Sequence, residues 1–179
     1  LRRAKNVRKF LELITVLYAK KGLLFRWDTP VGLPVVNSYL EPDIHTVEIW
    51  PGGKRRSINL AVGDLDEVRG RKAKQSVSPN FVHSLDAAHL HKVALAAKDE
   101  GIGMVAVHDS FGCLASRAKR FNKIIREQFV ELYNSDPLAD ILERARRDLP
   151  SSMHADLPDL PKRGDLDLNL VLNSFHAFK

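Results

Sequence analysis

The sequence predicts an α+β fold in which helices pack on a small antiparallel sheet. Three observations carry that expectation. Several stretches repeat apolar residues at helical spacing, two short stretches alternate around glycine-bearing turns, and no internal repeat joins them. With 179 residues, 44% of them apolar, the chain can bury a sizeable core as one domain. It opens on Leu1 and runs straight into a helical pattern, as expected of a segment that begins inside a longer protein.

The elements follow in order. Val7, Phe10, Leu11, Ile14, Leu17 and Tyr18 form one apolar stripe on a basic helix over 4–19, which Gly22 ends. "LLFRWDTPVGLPVV" mixes apolar residues with Pro30, Gly32 and Pro34, so short strands and turns are expected there. In "HTVEIWPGGKRRSINLAV", Val47 and Ile49 face Ile58 and Leu60 across Pro51-Gly52-Gly53, a hairpin whose glycines can take the positive φ of a tight reversal. The polar stretch "GDLDEVRGRKAKQSVS" reads as its mobile far side, and Pro79-Asn80 announces a helix from about 81 to 100 that Gly101 stops. Residues 105–107 read as a strand and His108-Asp109 as a turn. Ser116 reads as the cap of a helix that buries Ala118, Phe121, Ile125, Phe129 and Leu132. Asp136-Pro137 starts a further helix, cap followed by proline at its first position. The remaining tail is extended, with one short helix expected near Leu168.

Charge narrows the function. Lys and Arg number 28 against 22 Asp and Glu, a net +6. Eight of these cations fall within residues 1–26 against Glu12 alone, and a second cluster runs from Lys54 to Lys74. A single basic cluster is most simply a solvated face; two of them around candidate chemistry favour a polyanionic partner such as nucleic acid. The lone Cys113 rules out an internal disulfide and reads as a small buried side chain. No apolar run has the length of a membrane span, so no membrane partner is expected.

The candidate chemistry centres on "GMVAVHDSFGCLA". Strand alternation lifts Asp109 to the crest of a hairpin, where a carboxylate can hold Mg²⁺ or simply bond to the backbone two residues on. The second role is the commoner for a turn aspartate. His83, His89, His91 and His108 beside Asp109 allow a different class, a His/Asp metal phosphohydrolase. His89 and His91 stand two apart on a helix, however, and so point to different faces. His83, near the start of its helix, could donate to a phosphate or a base edge. Trp50, Lys54, Arg55 and Arg56 ride on the hairpin, and a two-stranded ribbon fits a DNA major groove.

Taken together, "PNFVHSLDAAHL", "VHDSFG", "IREQFVELY" and "LPKRGDLDLNLVLNSFHAFK", with "RWDTPVGLPVVNSYL" before the hairpin, resemble the C-terminal part of single-subunit RNA polymerases of the T7-like bacteriophage type. The resemblance runs from about Arg26 to Lys179. It implies that residues 1–179 form part of the palm and fingers of a right-hand polymerase, with 46–76 as a hairpin insertion resembling the specificity loop and 156–179 as a C-terminal foot. Asp109 matches a palm aspartate, one of two that bind the catalytic pair of Mg²⁺ ions, and His108 its neighbour near the RNA 3′ end. His83 matches a histidine that meets the template–product duplex, the hairpin from Trp50 to Ser57 a promoter reader, and Phe178-Lys179 the foot. The implied partners are promoter DNA, an RNA–DNA hybrid, NTP substrates and the upstream part of the same polymerase chain. Gly112, where mitochondrial relatives carry a bulkier residue, favours the phage branch and hence the cytoplasm of a bacterial host. The first palm aspartate and the fingers Lys and Tyr have no match here, so template-directed nucleotidyl transfer is expected of the parent enzyme and not of the isolated fragment. A non-catalytic nucleic-acid-binding remnant is the alternative.

Overall fold

The computed structural model describes residues 2–107, 110–174 and 177–178. Among the described residues, five α-helices are interspersed with three antiparallel hairpins. The chain runs α1 (Arg2–Lys20), β1 (Arg26–Asp28), β2 (Pro34–Val36), β3 (Leu40–Ile49), β4 (Arg56–Val68), α2 (Gly70–Asp99), β5 (Met104–Val107), β6 (Ser110–Cys113), α3 (Ala118–Asn134), α4 (Pro137–Asp148) and α5 (Leu170–Asn173). The α+β class holds. The single small sheet does not: β1–β2, β3–β4 and β5–β6 are separate two-stranded units.

Two cores organise the helices. In the first, Phe10, Leu11, Ile14, Leu17 and Tyr18 of α1 meet Val77, Phe81 and Leu85 of α2 and Ile141 and Ala145 of α4. An aromatic chain threads it, with ring centroids 5.1 Å apart for Tyr18–Phe25, 5.2 Å for Phe25–Trp27 and 6.0 Å for Trp27–Phe81. At the start of α2, a Cβ on Gly70 would stand 3.3 Å from that of Ala19, a tight contact that α1 would have to yield by a few tenths of an ångström to accept. The second core joins Val93 and Ala97 of α2 to Ile102 and to Phe121, Ile124 and Ile125 of α3.

α2 begins at Gly70, eleven residues before the start expected at about 81. Pro79 lies inside it, exposed on the outer face, while Ala73, Val77, Phe81 and Leu85 continue one buried stripe past it. Burial along that stripe outweighs the hydrogen bond the proline cannot make. The stretch from 63 to 78 expected to be mobile is therefore strand and helix. Ser116 does not cap α3; it lies in a 3₁₀ turn, Ala115–Arg117, and the helix begins at Ala118 with no side-chain cap. Asp136 does cap α4, its carboxylate accepting from the Ala139 N–H at 3.2 Å. Cys113 is half-buried at the edge of the second core.

Candidate nucleic-acid site and aromatic cleft

The β3–β4 ribbon is built as read. Gly52 and Gly53 take φ of 60° and 77°, and Val47 pairs with Ile58, Glu48 with Ser57 and Ile49 with Arg56. Cross-strand partners share a face. His45–Leu60, Val47–Ile58 and Ile49–Arg56 thus form one largely apolar side, while Thr46–Asn59 and Glu48–Ser57 form a polar side. On the polar side Thr46 Oγ1 donates to Asn59 Oδ1 at 2.9 Å. The basic trio is not equivalent: Arg55 is bonded to Glu48, whereas Lys54 and Arg56 make no ion pair among the described residues. Trp50 is 60% exposed at the tip. The cations expected as one cluster from 54 to 74 are divided between this ribbon and the start of α2.

The β5–β6 hairpin pairs Met104 with Cys113 and Val107 with Ser110, so residues 108–109 join its strands. His108 and Asp109, like Lys179, lie outside the described residues. Met104, Phe111 and Cys113 lean on the second core, but Val105 and Val107 are each 63% exposed. The hairpin expected here is formed, and one of its apolar sides is open.

Next to it, a cleft of about 670 Å³ is lined by His83, Asp86, Ala87, His89 and Leu90 of α2, Phe111 of β6 and Phe178 of the tail. This brings together three residues singled out in the sequence, His83, His89 and Phe178. Trp50, Lys54, Arg55 and Arg56 do not line it. A second cleft of about 440 Å³ lies between β6 and α3 and shares Phe111 and Phe178.

His89 is the residue that sequence reasoning undervalued. It is buried, its Nε2 lies 2.9 Å from the Ile125 carbonyl, and Phe178, Phe129 and Phe111 ring it at 5.5, 5.7 and 5.9 Å. Burial lowers its pKa, only partly offset by the Ile125 bond and Asp86. A neutral imidazole donating from Nε2 satisfies the geometry. His83 and His91 are exposed on other faces of α2. Among the described residues no group of three or more His, Cys, Asp or Glu side chains gathers as a metal site. The described histidines thus do not converge as a phosphohydrolase centre would need.

The described residues form an α+β segment with a ribbon that is basic at its tip and an aromatic cleft. Its family is clear: the model for DNA-dependent RNA polymerase matches residues 4–156, and the chain belongs to that family. It is 41% identical over 179 residues to the chloroplastic DNA-directed RNA polymerase 3 of Nicotiana sylvestris, covering 98% of this chain and 17% of that enzyme. The mitochondrial DNA-directed RNA polymerase 1 of the same plant is 35% identical over 175 residues, again 98% of this chain and 17% of the relative. DNA-directed RNA polymerase 1A of Nicotiana tabacum is 39% identical over 153 residues, 86% of this chain and 94% of the relative. The chain thus fits a fragment of a DNA-directed RNA polymerase, a nucleotidyltransferase, and spans about a sixth of the length of the two organellar relatives.

These comparisons correct the expected lineage and place. The relatives are chloroplastic or mitochondrial plant enzymes, which points to organelles and away from a bacteriophage enzyme in a bacterial cytoplasm. Gly112 misled for a physical reason. A Cβ there would meet the Val105 carbonyl at 3.8 Å and Val105 Cγ1 at 4.0 Å, which is ordinary contact, so packing does not dictate glycine at this position. No helix of the described residues is long and apolar enough to cross a membrane.

Proposed function

We propose that this chain is the C-terminal palm-and-fingers portion of a DNA-directed RNA polymerase, contributing to template-directed addition of nucleotides from NTPs to an RNA 3′ end. The observation that carries the reading is the family match over residues 4–156. The convergence of α2, β6 and the tail on one cleft adjoining the His108-Asp109 hairpin supports it.

In this reading Asp109 supplies one of two carboxylates for a Mg²⁺ pair. The other comes from the part of the relatives that this chain does not span. Such ions stabilise charge on the reacting oxygens. One carboxylate does not hold two like-charged ions, so the fragment alone does not polymerise. His108 lies beside the RNA 3′ end, and His83 contacts the template–product duplex from the rim of the cleft. Trp50, Lys54, Arg55 and Arg56 present the ribbon to promoter DNA, and Phe178 with Lys179 forms the foot. The exposed Val105 and Val107 are consistent with a hairpin that completes its packing against neighbouring parts of a larger enzyme.

A chimera tests this. The segment of the Nicotiana sylvestris chloroplastic polymerase that matches this chain is replaced by residues 1–179, and run-off transcription on a DNA template is measured. The reading expects RNA of template-defined length. A folded chimera that binds template but makes no RNA contradicts it.

A further inference from the structure

We propose that Arg126 is a positioning residue: it anchors the C-terminal segment on α3 so that Phe178 buttresses β6 and, through it, the hairpin that carries Asp109. The inference rests on the polymerase reading for its consequence, though not for its geometry.

Arg126 and Asn122 stand one turn apart on α3 and both grip backbone carbonyls of the tail. Arg126 donates from Nη1 to Leu172 O at 3.3 Å and from Nη2 to Ala177 O at 3.0 Å, and Asn122 Nδ2 donates to Phe178 O at 3.2 Å. The carbonyls on both sides of Phe178 are therefore fixed from one helix face. Phe178 itself has φ of 57°, the left-handed region that a bulky L-residue avoids unless its surroundings over-determine it. Its ring completes the box around His89, 5.3 Å from Phe129 and 5.5 Å from His89, and His89 in turn packs edge-on against Phe111 of β6. Phe111 pairs with Ala106 of β5, within the hairpin joined by residues 108–109.

The use of arginine is informative. Among the described residues the recorded partners of the Arg126 guanidinium are backbone carbonyls, and its Nε is buried without an acceptor. A charged side chain that among the described residues bonds only to carbonyls, with its buried Nε–H left without an acceptor, is a poor choice for filling space. It is a good one for holding two carbonyls 46 and 51 residues away in a fixed relation, because the planar guanidinium presents its donors in a rigid fork.

The test has two arms. In this chain, the His89 ring signals are followed by ¹H–¹³C NMR, since ring currents from Phe178 mark them. Arg126→Met keeps the apolar stem and removes the donors. It should move the His89 signals in the same direction as Phe178→Ala, with the methyl signals of Val93 and Ile124 unmoved. Arg126→Lys, a single point donor, should move them part of the way. In the polymerase chimera, Arg126→Met should lower kcat about tenfold while template affinity and KM for NTP stay within about twofold, the pattern of lost positioning. Unmoved His89 signals in Arg126→Met would overturn the anchor, and moved signals with unchanged kcat would overturn its role in positioning. Failure of the polymerase reading itself shows separately, as an Asp109→Asn chimera that stays active, and leaves the NMR arm intact.

Discussion

Serine 84 fixes the rotation of α2, and its loss should be measurable as a coupling to a tryptophan 57 positions away. Trp27 is 1% exposed, and its indole N–H donates to Ser84 Oγ at 3.0 Å; Ser84 Oγ in turn donates to the Phe81 carbonyl at 2.7 Å. With Ser84 turned into the first core, His83 faces outward and His89 faces the second core. Ser84→Ala leaves a buried indole N–H without an acceptor, a cost of about 1–3 kcal/mol. The better helix propensity of alanine offsets roughly 0.5 kcal/mol. For a chain of this length the net loss of about 0.5–2.5 kcal/mol lowers Tm by roughly 1–10 °C. Trp27→Phe removes the donor and loses part of a ring, costing about 1–3 kcal/mol as a cavity. In the double variant no orphan donor remains, so its loss should be smaller than the sum of the two by about 1 kcal/mol. Urea unfolding followed by circular dichroism on all four proteins measures this. Additivity within about 0.3 kcal/mol would show that the bond does not lock the helix and would refute the reasoning.

Other perturbations follow from the same structure. Because burial lowers the His89 pKa, the unfolded chain takes up a proton on falling below about pH 6.5 while the folded chain does not. That contribution to stability is complete above this pH and is lost as pH falls toward the folded value, so Tm should drop between pH 7.5 and 5.5 by more in the parent than in His89→Gln; equal drops would contradict it. Asp136→Ala removes the α4 cap and should cost about 1 kcal/mol, or roughly 2–4 °C of Tm, whereas Asp136→Asn should keep most of it. On the ribbon, Lys54→Ala and Arg56→Ala should each reduce the salt slope of DNA binding by about 0.9. Arg55→Ala should change it less, because Arg55 is bonded to Glu48; a larger effect from Arg55 would reverse that ranking.

Local chemistry was legible in the sequence, and long-range contact was not. The stripe of α1, the Asp136-Pro137 start of α4 and the Pro-Gly-Gly reversal each depend on residues within one or two turns of each other, and the structure forms all three. Pro79 reads as a boundary in the sequence because its local cost is plain, while the burial that outweighs it comes from α1 and the β1–β2 hairpin. Even so, Ala73, Val77, Phe81 and Leu85 at spacings of four carried the signal of a continuous helix. The His89 box could not be read from spacing, since Phe111, Phe129 and Phe178 reach it from three separate elements. Nor could the Arg126 anchor, whose acceptors are featureless backbone carbonyls. The short apolar run over residues 105–107 predicted the strand correctly but implied more cover than that hairpin has.

The central claim is that Asp109 belongs to the metal-binding centre of a polymerase. Its most direct measurement is the Mg²⁺-dependent rate of single-nucleotide addition to a primed RNA–DNA hybrid by the chimera and its Asp109→Asn variant, with hybrid affinity measured alongside. The account predicts that addition falls by at least about a thousandfold, roughly 4 kcal/mol in transition-state stabilisation, while hybrid affinity stays nearly unchanged. An Asp109→Asn enzyme that adds nucleotides at the parent rate would contradict it.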